Sequence, residues 1–115
     1  MSLKLNTREV KDVIIIDLSG RLTMGEASAA IRDEIHDEIG HGCRKVLLNL
    51  ADVSYIDSAG LGELTAAFTT MKNRDGQLKL LNLTRRVHDL LQITKLSTVF
   101  DVYEDEKKAI ASFQP

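Results

Sequence analysis

Two apolar stretches occupy residues 3–18, broken by the polar segment Val10-Lys11-Asp12. The second, Val13-Ile14-Ile15-Ile16, is a β-branched run too short for a helix of its own. The pattern predicts two strands around a tight turn, with Gly20 closing the hairpin. Ala27, Ile31, Ile35 and Ile39 then recur every fourth residue, opposite Asp33, Glu34, Asp37 and Glu38. That is an amphipathic helix, and Gly40 and Gly42 bracket its left-handed end. The nearly unbroken run Val46-Leu47-Leu48-Asn49-Leu50 suits a strand buried on both faces.

A second helix is predicted over residues 59–73, with Leu61, Leu64, Ala67, Phe68 and Met71 inward. Asp75-Gly76 turns the chain into a strand carrying Leu78 and Leu80. Thr84 is placed to cap a short helix with Val87, Leu90 and Leu91. A strand over residues 98–103 and a helix over residues 104–113, with Ile110 and Phe113 inward, complete the order. Strands alternating with helices imply an α/β fold: a mixed, largely parallel sheet of about five strands. It begins with an antiparallel hairpin and carries about four helices, all in one domain spanning residues 1–115.

Composition narrows the function. At 12.8 kDa the chain exposes about 6,300 Å² when folded, enough for a single core. Fifteen Lys and Arg against 17 Asp and Glu leave a net charge of -2. That balance argues against nucleic-acid binding, which needs a basic field. The single cysteine, Cys43, makes no internal disulfide, and its surroundings suggest a small, partly buried residue. No apolar run approaches the ~20 residues of a membrane span, and the N-terminus lacks a basic region followed by an apolar one. The expected location is the cytoplasm.

The candidate chemistry lies in Tyr55-Ile56-Asp57-Ser58-Ala59-Gly60-Leu61-Gly62, where a buried strand gives way to a helix. In open α/β sheets, sites gather at the carboxyl ends of strands. A helix N-terminus offers free amides and partial positive charge. Gly60 and Gly62 each cost the helix up to about 1 kcal/mol against Ala, so something is expected to approach the backbone closely. The candidates are a phosphoryl group, a nucleotide or a partner protein. The plainer alternative is that Asp57 or Ser58 caps the helix and the glycines fit it to the sheet.

Competing chemistries lack residues. A nucleophile elbow needs Gly two positions before Ser58, where Ile56 stands, and a triad needs a histidine. His36, His41 and His88 fall in or beside polar helix faces. A receiver-type phosphoacceptor at Asp57 needs an acidic pair after the first strand to hold Mg²⁺, but Asp17 is followed by Leu18, Ser19 and Gly20. The pairs Asp33/Asp37 and Glu34/Glu38 read as a solvated helix face, and His36 and His41 are not spaced as metal ligands. Arg85 and Arg86 open a helix against its dipole, as solvated residues or as an anion or partner contact.

Asp57-Ser58-Ala59-Gly60-Leu61-Gly62, following Val46 to Leu50, resembles the STAS domain, specifically the bacterial anti-sigma factor antagonists. Gly20-Arg21-Leu22, Leu78-Lys79-Leu80-Leu81-Asn82-Leu83 and residues 90–100 fit the same pattern, so the resemblance spans nearly the whole chain. It implies a non-catalytic binding module in which an anti-sigma factor that is also a serine kinase phosphorylates Ser58. The unphosphorylated form sequesters that kinase and frees a sigma factor, and a serine phosphatase resets the switch. ATP belongs to the kinase, so no cofactor is expected in this chain. The implied partner-binding residues are Thr23 and the segment Asp57, Ser58, Ala59, Gly60, Leu61 and Gly62. Thr23 stands where many relatives carry Asp, and Ala59 replaces a second serine common in the family. A monomer or weak dimer is expected. The alternatives are a scaffold subunit of a larger stress-signalling complex, with Ser58 only a cap, and a small-ligand or nucleotide module.

Overall fold

The predicted hairpin forms and runs further than its apolar pattern indicates. The computed structural model describes residues 3–113. Strand β1 (Leu3–Val10) pairs antiparallel with β2 (Val13–Leu22), and Lys11 turns the corner at φ 58°. Gly20 does not close the hairpin: β2 continues through it to Leu22. Gly20 sits at φ 112°, beside a register shift between β2 and the next strand, so it serves as a bulge.

Helix α1 (Glu26–Gly40) buries Ala27, Ile31, Ile35 and Ile39, and Gly42 beyond its end has φ 91°. Strand β3 (Lys45–Ile56) continues six residues past the apolar run, because parallel pairing with β2 persists to Leu22 and Ile56. Helix α2 (Ser58–Asn73) follows after one residue, then β4 (Gln77–Leu81). Thr84 caps α3 (Arg85–Ile93), its hydroxyl oxygen accepting the Val87 amide at 3.3 Å.

The strand expected over residues 98–103 shrinks to β5 (Val102–Tyr103). Phe100 turns inward, its ring edge-on to Phe68 with centroids 5.5 Å apart, which takes that stretch out of the sheet. Asp105 caps α4 (Glu106–Ser112), which starts two residues later than expected.

The five strands lie in the order β1-β2-β3-β4-β5, parallel from β2 onward. Alternate residues of β2 and β3 feed opposite faces. Ile16, Leu18, Leu48 and Leu50 join the main core with residues of α1, α2 and α3. Val13, Ile15 and Leu47 meet Ala109 of α4 and Phe113 just beyond it in a smaller core. The accessible surface is 6526 Å², close to the area expected from mass. Among the described residues, no helix is long and apolar enough to cross a membrane.

Arg8 fastens α4 to the hairpin. Its Nε donates to Asp17 at 2.7 Å and its terminal nitrogens to Glu106 at 2.6 and 3.0 Å. The guanidinium holds both carboxyls below their usual range, so this fastening is present at neutral pH and weakens as pH falls.

Candidate functional site

The pairing of Leu22 with Ile56 brings two loops side by side at the carboxyl end of the sheet. Residues 23–25 lead into α1 and Asp57 leads into α2. Asp57 ties them together. One carboxylate oxygen accepts the Gly60 amide at 2.7 Å, capping α2, and the other accepts the Met24 amide at 3.3 Å. The Asp57 amide donates to the Leu22 carbonyl at 3.3 Å.

Ser58 is the first residue of α2 and is exposed. The helical ladder begins with the Leu61 amide donating to the Asp57 carbonyl at 3.0 Å, so the Ser58 and Ala59 amides precede it. The neighbouring loop is braced where the Ser28 hydroxyl donates to the Thr23 carbonyl at 3.1 Å. Gly25 opens α1 at φ 97°. Replacing Asp57 with Ala removes both the cap and the Met24 tie, with an expected loss of about 1–2 kcal/mol by urea denaturation.

The two motif glycines have different reasons. A Cβ at Gly60 would lie 2.1 Å from the Leu22 carbonyl oxygen. The close neighbour anticipated from sequence is therefore the protein's own β2, and no ligand is required there. A Cβ at Gly62 meets nothing within 4 Å, and this residue is exposed. Gly60 and Leu61 are buried, so the accessible surface comes from Thr23, Asp57, Ser58, Ala59 and Gly62. Sequence reading missed Met24, which is 77% exposed beside Asp57. It adds one apolar side chain to the exposed surface beside Asp57.

The alternatives for Ser58 and Asp57 find no support in the geometry. His36, His41 and His88 are exposed; His41 faces Asp37 and His88 faces Asp89. Asp17 is taken up by Arg8 and by Asn49, whose amide donates to it at 2.8 Å. The Cys43 thiol donates to the Lys45 carbonyl at 3.3 Å, and burial pushes its pKa up, as suits an unreactive packing residue.

The acidic face of α1 divides. Asp33 and Asp37 are solvated, but Glu34 and Glu38 are half-buried one turn apart. Their mutual hydrogen bond, then burial, push Glu34 up to about 7. The folded chain thus retains a proton that the unfolded chain releases near 4.5, so stability declines as pH rises from there through about 7. Glu34→Gln is expected to raise the melting temperature at pH 8 and to change it little at pH 5. Buried Glu63 on α2 was also unforeseen; Arg32 on α1 donates to it at 2.9 Å, joining the two helices.

Basic residues gather at the same end of the sheet. The Arg21 and Arg86 guanidinium carbons lie 4.5 and 4.3 Å from the centroid of the Tyr55 ring. Arg85 instead faces Asp89 at 3.6 Å.

The family profile described as STAS domain matches residues 4–109. The chain belongs to the STAS domain family. This STAS chain is similar to the anti-sigma-B factor antagonist of Bacillus subtilis, 29% identical over 102 residues, covering 89% of this chain and 92% of the relative. The crystal structure of Thermotoga maritima TM1081 superposes with a TM-score of 0.87 at 24% identity, covering 96% of this chain and 95% of that one. Bacillus SpoIIAA, solved unphosphorylated and phosphorylated, superposes with TM-scores of 0.70 and 0.74 at 23% and 24% identity. Each form covers 94% of the STAS chain, and 96% and 97% of SpoIIAA are covered in turn.

Proposed function

We propose that this STAS protein is an anti-sigma factor antagonist: a non-catalytic module that binds an anti-sigma factor and is released when Ser58 is phosphorylated. The observation that carries the reading is the exposed Ser58 on the first residue of α2, held by the Asp57 cap on a fold that matches the family almost end to end. The names of full-length relatives, including the anti-sigma-B factor antagonist, support the same assignment.

The physical chemistry fits a switch. A phosphoryl group adds roughly -1.5 to -2 charge, taking the chain from -2 to roughly -3.5 to -4. At α2 it joins Asp57 at the positive end of the helix and faces water, so the fold has no need to rearrange. A partner seated over Thr23, Met24, Ser58 and Gly62 must desolvate or repel that dianion. The partner in this reading is an anti-sigma factor with serine kinase activity, which supplies the ATP. A serine phosphatase restores the binding form, the chain needs no cofactor, and it works in the cytoplasm as a monomer or weak dimer.

Intact-mass spectrometry tests the acceptor. Incubation with the anti-sigma kinase and ATP is expected to add one phosphoryl group to the native chain and none to Ser58→Ala. No addition by a kinase shown active on another substrate, or equal addition to Ser58→Ala, contradicts the reading.

A further inference from the structure

We propose that Arg21 and Arg86, gathered on Tyr55, form a second contact patch that seats a carboxylate-bearing segment of the protein partner beside Ser58. The inference rests on the antagonist reading and adds where, and by what charge, the partner is held.

Three elements converge on this patch. Arg21 and Tyr55 are paired across β2 and β3, and Arg86 reaches the same ring from the first turn of α3. The cation–π contacts with Tyr55 favour this arrangement, but other terms oppose it. A cation at a helix N-terminus opposes the macrodipole, and no acidic residue stands in the first turn of α3 to offset it. Two like charges drawn to one ring also repel each other. Among the described residues, no carboxylate pairs with either guanidinium, although the chain carries more acidic than basic residues. Both side chains are exposed, and each guanidinium is held close to the Tyr55 ring by cation–π attraction. Among the described residues neither donates a side-chain hydrogen bond, which leaves their N–H groups available to a carboxylate.

Position selects the occupant. Tyr55 precedes Ser58 by three residues, so their Cα atoms lie within about 11 Å of each other. That span is somewhat longer than the ~8 Å Debye length of physiological salt, so charges at its two ends still interact, in weakened form, and more strongly at low salt. A partner covering Ser58 therefore reaches the patch, and a protein segment bearing Asp or Glu matches its charge. The same proximity gives phosphorylation a second effect. A dianion on Ser58 weakens the attraction of Arg21 and Arg86 for the segment, besides blocking the surface.

The test measures binding of the full-length native protein to the purified anti-sigma factor at 50 and 300 mM NaCl. Its variants are Arg21→Gln/Arg86→Gln and, as a control of equal charge change, Lys107→Gln/Lys108→Gln on α4. The arginine pair is expected to lose at least tenfold in affinity at low salt, chiefly through slower association, and to show a flattened salt dependence. The lysine pair is expected to stay within twofold, and urea midpoints of both variants to match the native protein. Tyr55→Leu, which keeps both charges but frees them, is expected to fall between. Equal affinities for the two double variants, with Ser58→Glu still unable to bind, overturn the patch and leave the antagonist reading standing. Displacement of the partner by low-millimolar inorganic phosphate that depends on Arg21 and Arg86 reassigns the patch to small anions. Absence of any native binding overturns both.

Discussion

Gly60→Ala is expected to destabilise the protein by about 3 kcal/mol or more, whereas Gly62→Ala, two residues along the same helix, is expected to be neutral or stabilising by up to about 1 kcal/mol. The difference lies in what each new methyl meets. At Gly60 it would sit 2.1 Å from the Leu22 carbonyl oxygen and 2.9 Å from its carbonyl carbon. Backbone cannot swing aside as a flexible side chain does, so α2 would have to lift from β2. The Leu22 carbonyl also accepts the Asp57 amide, so that movement strains the turn presenting Ser58. At Gly62 the methyl projects into open space, and alanine has the better helix propensity. For a chain of this size the Gly60 loss lowers the melting temperature by about 10 °C or more. Thermal and urea denaturation of the two variants side by side checks the contrast. Gly62→Ala also separates folding from docking: reduced partner binding with unchanged stability places Gly62 in the contact surface.

Phosphorylation of Ser58 is expected to weaken anti-sigma factor binding more than a hundredfold, with little change in melting temperature. A loss of about 3–4 kcal/mol suffices for that factor, and burying an unpaired dianion under a partner costs at least as much. Ser58→Ala is expected to bind like the unphosphorylated protein, because the cap belongs to Asp57 and the serine side chain has no structural task at the helix start. Ser58→Glu carries one charge and a longer side chain, and is expected to bind poorly. The Asp57 carboxylate adds to the effect, since it already occupies the Gly60 and Met24 amides and leaves the phosphate no pairing there.

Much of this arrangement was legible in the sequence because it rests on local pattern. The four-residue spacing of Ala27, Ile31, Ile35 and Ile39 required α1, and the run from Val46 to Leu50 required a central strand. Thr84 announced α3, and Asp57 was one of two candidate caps, with Ser58, for α2. What escaped depends on partners distant in the chain. The polar second half of β3 is a strand because β2 pairs with it, not because its residues alternate cleanly. Phe100 leaves the sheet for Phe68, which no local signal marks. Arg8 meets Glu106 across 98 positions, and Arg21 meets Arg86 only through Tyr55. At Gly60 the plainer expectation holds, a glycine that fits the helix to the sheet, rather than a phosphoryl group, nucleotide or partner approaching the backbone; only the fold shows that the approaching group is Leu22.

The measurement that bears most directly on the central claim is the affinity of the anti-sigma factor for three forms of the chain: native, Ser58→Ala and enzymatically phosphorylated. Isothermal titration of each at one salt concentration suffices. Tight binding by the first two, and binding at least a hundredfold weaker by the third, is the predicted result. Equal affinity across all three forms would contradict the switch and return Ser58 to a residue that merely begins a helix.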